Sequence, residues 1–230
     1  QAQANKDLLD HGVLHVARFD ADGKGQWIPM VHGQGPLTAA NGFADQGEVL
    51  IKSRQASDLL GATKMDRPEW LTIDPQSGWV YCTLTNNSQR GTPGKPGVDA
   101  ANPRANNVMG QIIRWKDEND FDGRTFEWNH LVLAGDPNNQ RADAKGNING
   151  DIYACPDGIA FDKQGVLWIQ TYAHATQMYK GELARIGNNQ MLACDTVTGE
   201  TRRFLTGPTN CEVTGVAFTP DSTTMFVSIQ

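Results

Sequence analysis

The sequence has no run approaching the roughly 18 apolar residues that a membrane-crossing helix requires, and its mean hydropathy is −0.48. A helical bilayer span is therefore not expected. Basic clusters are missing as well. Twenty Lys and Arg stand against 26 Asp and Glu, a formal net charge of −6, so the footprint by which nucleic-acid binders displace counterions is absent. Cysteine is scarce: Cys82, Cys155, Cys194 and Cys211 form no CxxC pair and no Cys/His spacing of the zinc kind. Small buried hydrophobes are the preferred reading of these thiols, with disulfides open. His11, His15, His32, His130 and His174 are scattered, and no Ser/His/Asp set or Cys/His dyad emerges from their spacing. His174 follows LWIQTYA and reads as a loop or packing histidine.

What is present suits a packed domain. The 230 residues, 39% hydrophobic with 24 Gly, are enough for one large all-β or α/β domain or for two small ones. The chain opens QAQANKD without an initiator Met and stops at the strand-like MFVSIQ. Those ends predict a piece of a longer protein, truncated at both ends.

Internal repetition is the strongest signal. PEWLTIDPQSGWVYCTLTNN from Pro68, PDGIAFDKQGVLWIQTYAH from Pro156 and CEVTGVAFTPDSTTMFVSIQ from Cys211 each run acid, apolar strand, turn, second strand. Hairpin-type residues separate the strands. The first two are followed by further hairpins, GQIIRWKDENDFDGRTFEWNHLVLAG and NNQMLACDTVTGETRRFLTG. A half-unit, GVLHVARFDADGKGQWIPMV, stands at the start with DADGKG as its turn; that turn lacks the later ligands of a calcium loop. Without a Gly/Pro/Asn-rich insertion near residues 88–107, the period approaches one propeller blade of roughly 40 to 50 residues. The expected fold is all-β: an incomplete β-propeller of about three blades, occupying 1–230 as one domain. A helical excursion is expected at about 43–62, with Val49, Leu50, Leu59 and Leu60 as its apolar face. A β-sandwich is the rival architecture.

In a propeller, residues just ahead of each blade's innermost strand collect at one mouth of the central channel. Glu69, Asp157 and Glu212 hold that position. Carboxylates converging there would repel one another, a cost that a shared hard cation removes. The plainer reading has each acid capping its own turn. Neutral oxygens could come from Asn86–Asn87, Asn106–Asn107 and Asn188–Asn189. Arg67, held extended by Pro68, and Arg104 in ANPRANN are the candidate anion-binding residues. Trp27, Trp70, Trp79, Trp115, Trp128 and Trp168 fall in or beside strands and read as blade core.

Together, MDRPEWLTIDP, VYCTLTNN, NPRANN, PDGIAFD, GNNQMLACDTVTGETRRFLTGP and CEVTGVAFTPDSTTMFVSIQ resemble the C-terminal half of the PhoX-type alkaline phosphatases. That resemblance implies a six-bladed propeller, a cluster of calcium and iron at one channel mouth, and hydrolysis of phosphate monoesters. It also implies export through the twin-arginine pathway, hence a periplasmic or secreted location. Glu69, Asp157 and Glu212 would be metal ligands, and Arg67 would bind phosphate. The family's iron-ligating cysteine lies in the N-terminal half, which none of the four thiols here matches, so this chain alone is expected to lack a complete site. Two other classes remain open: a calcium-dependent lactonase or esterase-type propeller hydrolase, and a non-catalytic binding propeller.

Overall fold

The structure, a computed structural model, describes residues 5–6, 11–119 and 121–230. A hairpin of β1 (His15–Phe19) and β2 (Lys24–Pro29) is followed by helices α1 (Gln46–Ile51) and α2 (Ser53–Leu59). Next comes an antiparallel meander of β3 (Pro68–Ile73), β4 (Val80–Leu84), β5 (Gln111–Asp117) and β6 (Thr125–Leu133). After the short β7 (Asn149–Gly150), a second meander uses β8 (Pro156–Phe161), β9 (Leu167–Thr171), β10 (Gln190–Cys194) and β11 (Glu200–Thr206). The hairpin β12 (Val213–Phe218) and β13 (Met225–Ile229) completes the described strands. Strand β3 lies beside β8, and β8 beside β12. This is an incomplete β-propeller: two blades and the first half of a third, with their innermost strands side by side.

Alternation builds the packing between blades. On β4, Tyr81 points into a cluster with Ile112 and Val132 that meets Ile159, Leu167, Ile169 and Leu192 of the second blade. Val80, Cys82 and Leu84 point the other way, toward Trp115, Phe126 and Trp128. Every residue of β4 is buried, as expected of a central strand sandwiched on both faces. Five of the tryptophans behave as core or near-core residues, whereas Trp70 on β3 is exposed.

The N-terminal hairpin is not a half-blade of its own. Strand β2 pairs antiparallel with β6 through Lys24↔Glu127, Gly25↔Phe126 and Gln26↔Thr125, widening the first blade to six strands. Side chains explain the attachment. Trp128 Nε1 donates to Asp20 O at 3.0 Å and Lys24 O at 2.9 Å, while Phe19, Trp27 and Phe126 stack edge-on or tilted at 4.9 to 5.2 Å. An otherwise unpaired outer edge of β6 is thereby covered.

The helical excursion is a single one, as expected, bent at Lys52, where α1 ends and α2 begins. Asp45 caps α1 by accepting from Glu48 N at 2.9 Å, and Glu48 reaches back to Ala44 N at 2.8 Å, a reciprocal capping arrangement. Val49 and Ala56 are buried against Met30, Leu37 and Phe43, with Leu60 partly covered, whereas Leu50 and Leu59 face outward. The bend changes which side chains share a face.

Gly25 lies directly beneath the Phe126 ring, and a Cβ there would overlap it. Gly25→Ala is therefore expected to destabilise by roughly 1 to 3 kcal/mol, the usual cost of overpacking. Gly12→Ala, where an added Cβ meets no heavy atom of the described residues within 4 Å apart from its chain neighbours, should be close to silent. Thermal denaturation of the two variants checks the difference.

Candidate metal centre

The three acid-bearing strand entrances share a backbone device. Two residues before Glu69, Asp157 and Glu212 stand Arg67, Cys155 and Asn210, with φ of 51°, 52° and 63°. Non-glycine residues in the left-handed region cost about 1 to 3 kcal/mol each and persist only when their surroundings hold them there. Two of the three also precede proline, which ordinarily favours extended backbone. Arg67 is therefore not extended as its Pro68 neighbour implied. Its N–H donates to Met65 O at 3.1 Å and its carbonyl accepts from Thr85 N at 3.2 Å, tightening the turn ahead of β3.

A second device follows at once. The pairing register slips between Pro68 and Leu71, between Pro156 and Ile159, and between Val213 and Gly215. Such bulges re-aim side chains next to active sites. Facing the first bulge is Thr83, whose hydroxyl donates to Asp157 O at 2.7 Å and accepts from Trp70 N at 3.0 Å. Thr83 thus ties one acid-bearing bulge to the next. Facing the second is Gln170, fully buried, whose amide occupies the space a side chain at Gly158 would fill; neither amide atom has a hydrogen-bond partner among the described residues. Neither residue is singled out by the repeat pattern, because the bulge that gives each its role leaves no mark in the sequence.

The carboxylates are brought together. Asp157, Glu212 and Glu69 lie close enough to act on one another electrostatically: Glu69 and Glu212 act on Asp157, and Asp157 and Glu69 act on Glu212. Burial, then the neighbouring charges of Glu69 and Glu212, push the Asp157 carboxyl up to about 6. Glu212 is also raised, chiefly by burial. Glu69 Oε1 lies 3.7 Å from Arg67 Nη2. Among the described residues no group of three His, Cys, Asp or Glu side chains forms a ready metal cage. The donor set nevertheless fits a hard cation: Glu69, Asp157 and Glu212 offer carboxylate oxygens that act on one another, and the single guanidinium beside them, Arg67, acts on Glu69 and Asp157.

Arg67 is half exposed, and its Nη1 donates to Asn86 Oδ1 at 2.8 Å. Asn86 Nδ2 in turn reaches Cys155 Sγ at 3.3 Å, linking the first two entrances. Arg104 is different. It is 4% exposed, with Nη1 donating to Ala134 O at 2.7 Å and Nη2 to Gly110 O. Arg104, the second candidate for anion binding, has its guanidinium engaged in clamping the insertion at the ends of β5 and β6, and Arg67 is the arginine that acts on Asp157. The asparagine pairs also serve the loops. Asn87 and Asn107 donate to Asp66, and Asn189 bridges Ala173 and Cys211. Asn188 Nδ2 donates to Gly207 O and Pro208 O, each at most 2.7 Å away.

All four cysteines are free and buried. Burial raises the thiols of Cys82 and Cys194 to about 12 and that of Cys155 to about 11, the behaviour of inert packing residues. His174 sits exposed in a loop, bonded to Thr176 Oγ1 at 2.8 Å. His130 is a packing histidine, its Nε2 2.9 Å from Ala101 O.

The raised carboxyl of Asp157 has a pH signature. In metal-stripped protein its proton-bound form is favoured by folding, so this contribution is present below the ordinary carboxylate range and is lost as pH rises through about 6. Asp157→Asn should raise the Tm of stripped protein at pH 8 by roughly 2 to 4 °C, the change that ~1 kcal/mol makes in a chain of this size, and should have little effect at pH 4. Calorimetry at the two pH values checks this.

The sequence model of the family described as "Alkaline phosphatase PhoX" matches residues 1–230. A search of curated proteins returned no match. Among solved structures, "Pseudomonas fluorescens PhoX in complex with vanadate, a transition state analogue" aligns with a TM-score of 0.92 at 50% identity, covering 100% of this chain and 41% of that chain. Less than half of that protein's length is thus represented. XC5397 from Xanthomonas campestris, described as a gluconolactonase, reaches a TM-score of 0.38 at 16% identity over 72% of this chain and 36% of that one, too distant to bear on fold or function. With a family match over its whole length and half its residues identical to a PhoX of known structure, the chain belongs to the alkaline phosphatase PhoX family.

Proposed function

We propose that this chain supplies one side of the metal centre of a phosphatase that hydrolyses phosphate monoesters. The observation that carries the reading is the meeting of Glu69, Asp157 and Glu212 with Arg67 at one end of three adjacent innermost strands. In this reading Glu69, Asp157 and Glu212 hold the cations, and calcium with iron is the set that the family resemblance favours. Bound there, the metals would supply positive charge for the phosphoryl oxygens and for the attacking water, where phosphoryl transfer concentrates charge. Arg67 has the complementary task. Its half-exposed guanidinium donates to a peripheral phosphate oxygen, while Asn86 and Glu69 orient it from behind. The vanadate held by the similar Pseudomonas fluorescens PhoX supports a phosphate-type substrate. A periplasmic or secreted location is part of the same proposal, on family resemblance.

The test is an assay of the full-length protein on p-nitrophenyl phosphate, with and without calcium, beside an aryl ester and a lactone. Only the phosphate should turn over, and chelation should abolish that turnover. Arg67→Ala should lower kcat/KM for the phosphate at least about tenfold, since a charge-assisted contact is worth roughly 1.5 to 3 kcal/mol, with metal content unchanged. Glu69→Gln should lose metal and activity together, because the amide keeps a neutral oxygen but removes the charge that holds a hard cation. Full activity in Arg67→Ala, or loss of its metal, would show Arg67 to be a structural partner of the carboxylates.

A further inference from the structure

Directly behind Arg67 lies a buried ion pair to which the proposed chemistry assigns no part. Asp66 is 0% and Arg90 1% exposed, with Arg90 Nε 2.8 Å from Asp66 Oδ1. Arg90 also donates to Gly97 O at 2.8 Å and to Lys64 O. The Asp66 carboxylate accepts from Asn87 Nδ2 at 2.9 Å and Asn107 Nδ2 at 3.1 Å, and the Asp66 N–H donates to Asn102 Oδ1 at 2.9 Å. The long insertion thus holds both the backbone and the carboxylate of one residue.

We infer that the Asp66–Arg90 pair is a positioning unit for Arg67, fixing the left-handed backbone from which its guanidinium reaches a substrate phosphate. The inference rests on the phosphate-binding reading of Arg67. Arg67 stands at φ 51° before a proline, a conformation that relaxes toward extended unless it is held on both sides. Pro68, the first residue of β3, holds one side and Asp66 the other. The guanidinium cannot fix itself, because it is half exposed and its hydrogen-bond partner is Asn86. The insertion grips the two residues in register: Asn87 takes Asp66 and Asn86 takes Arg67. Releasing Asp66 would therefore leave the left-handed turn at Arg67 held only by its own N–H to Met65 O and its carbonyl to Thr85 N, loosening the turn and shifting the grip on Asn86 together. Arg90 acts through Asp66 and Arg67 and touches no reacting atom.

A double-mutant cycle in the full-length, metal-loaded protein tests this on p-nitrophenyl phosphate. Asp66→Asn should lower kcat/KM about tenfold, about 1.4 kcal/mol of transition-state binding, at unchanged metal content. Competitive inhibition by inorganic phosphate should weaken in parallel. In an Arg67→Ala background the same substitution should cost less than about twofold, since no guanidinium remains to be placed. Equal losses in both backgrounds would make the pair a general scaffold and overturn the inference, as would an Asp66→Asn protein with full activity. If Arg67→Ala alone leaves kcat/KM intact, the phosphate-binding reading fails and the positioning role fails with it. Should Asp66→Asn not fold, Arg90→Lys carries the same cycle, because it keeps the charge but loses the forked contacts to Asp66, Gly97 and Lys64.

Discussion

The ion pair between Asp66 and Arg90 is the constraint on which the geometry of the channel mouth depends. Neither partner reaches solvent, so both carry a desolvation cost that is offset only when every remaining lone pair and proton finds a partner. Asn87 and Asn107 provide those partners for the carboxylate and the carbonyls of Lys64 and Gly97 for the guanidinium, while Asn102 holds the Asp66 N–H. An insertion of loop backbone between β4 and β5 becomes a fixed wall in this way. Arg67 and Asn86 stand at its rim.

Around that wall, each blade repeats one local solution. A left-handed residue and a one-residue bulge bracket the acid, so the chain turns sharply into the innermost strand and presents a carboxylate at its start. Strain and electrostatic repulsion accumulate at the same point, which is the pattern of a site built for binding at the expense of stability. The remainder of the fold compensates. Strand β4 is buried on both faces, Thr83 reaches from it to the backbone of Asp157, and the aromatic cluster of Phe19, Trp27, Trp115, Phe126 and Trp128 closes the outer edge.

Features with a local or periodic signature are legible in the amino-acid sequence. The strand pairs beginning at Pro68, Pro156 and Cys211 alternate apolar and polar residues around Gly- and Pro-bearing turns, and they form hairpins where expected. The acids at equivalent repeat positions converge because equivalent positions in successive blades share one end of the channel. Legibility ends where the outcome depends on long-range partners. The hairpin at His15–Pro29 looks like a blade fragment, but the exposed edge of β6 captures it. Arg104 and Arg67 sit in equally polar segments, and only the carbonyls that converge on Arg104 withdraw it from solvent.

By itself the sequence determined that the chain is all-β and repetitive, that its acids recur in phase, and that it carries the motifs of its family, since periodicity and turn chemistry act over a few residues. Tertiary structure alone decided that Arg67 is left-handed despite Pro68, that Asp66 and Arg90 are paired 24 residues apart, and that Thr83 and Gln170 face the bulges. These outcomes are set by contacts between distant segments. No local propensity specifies which buried charge will meet which partner, because desolvation favours whichever pairing leaves no polar group unmatched.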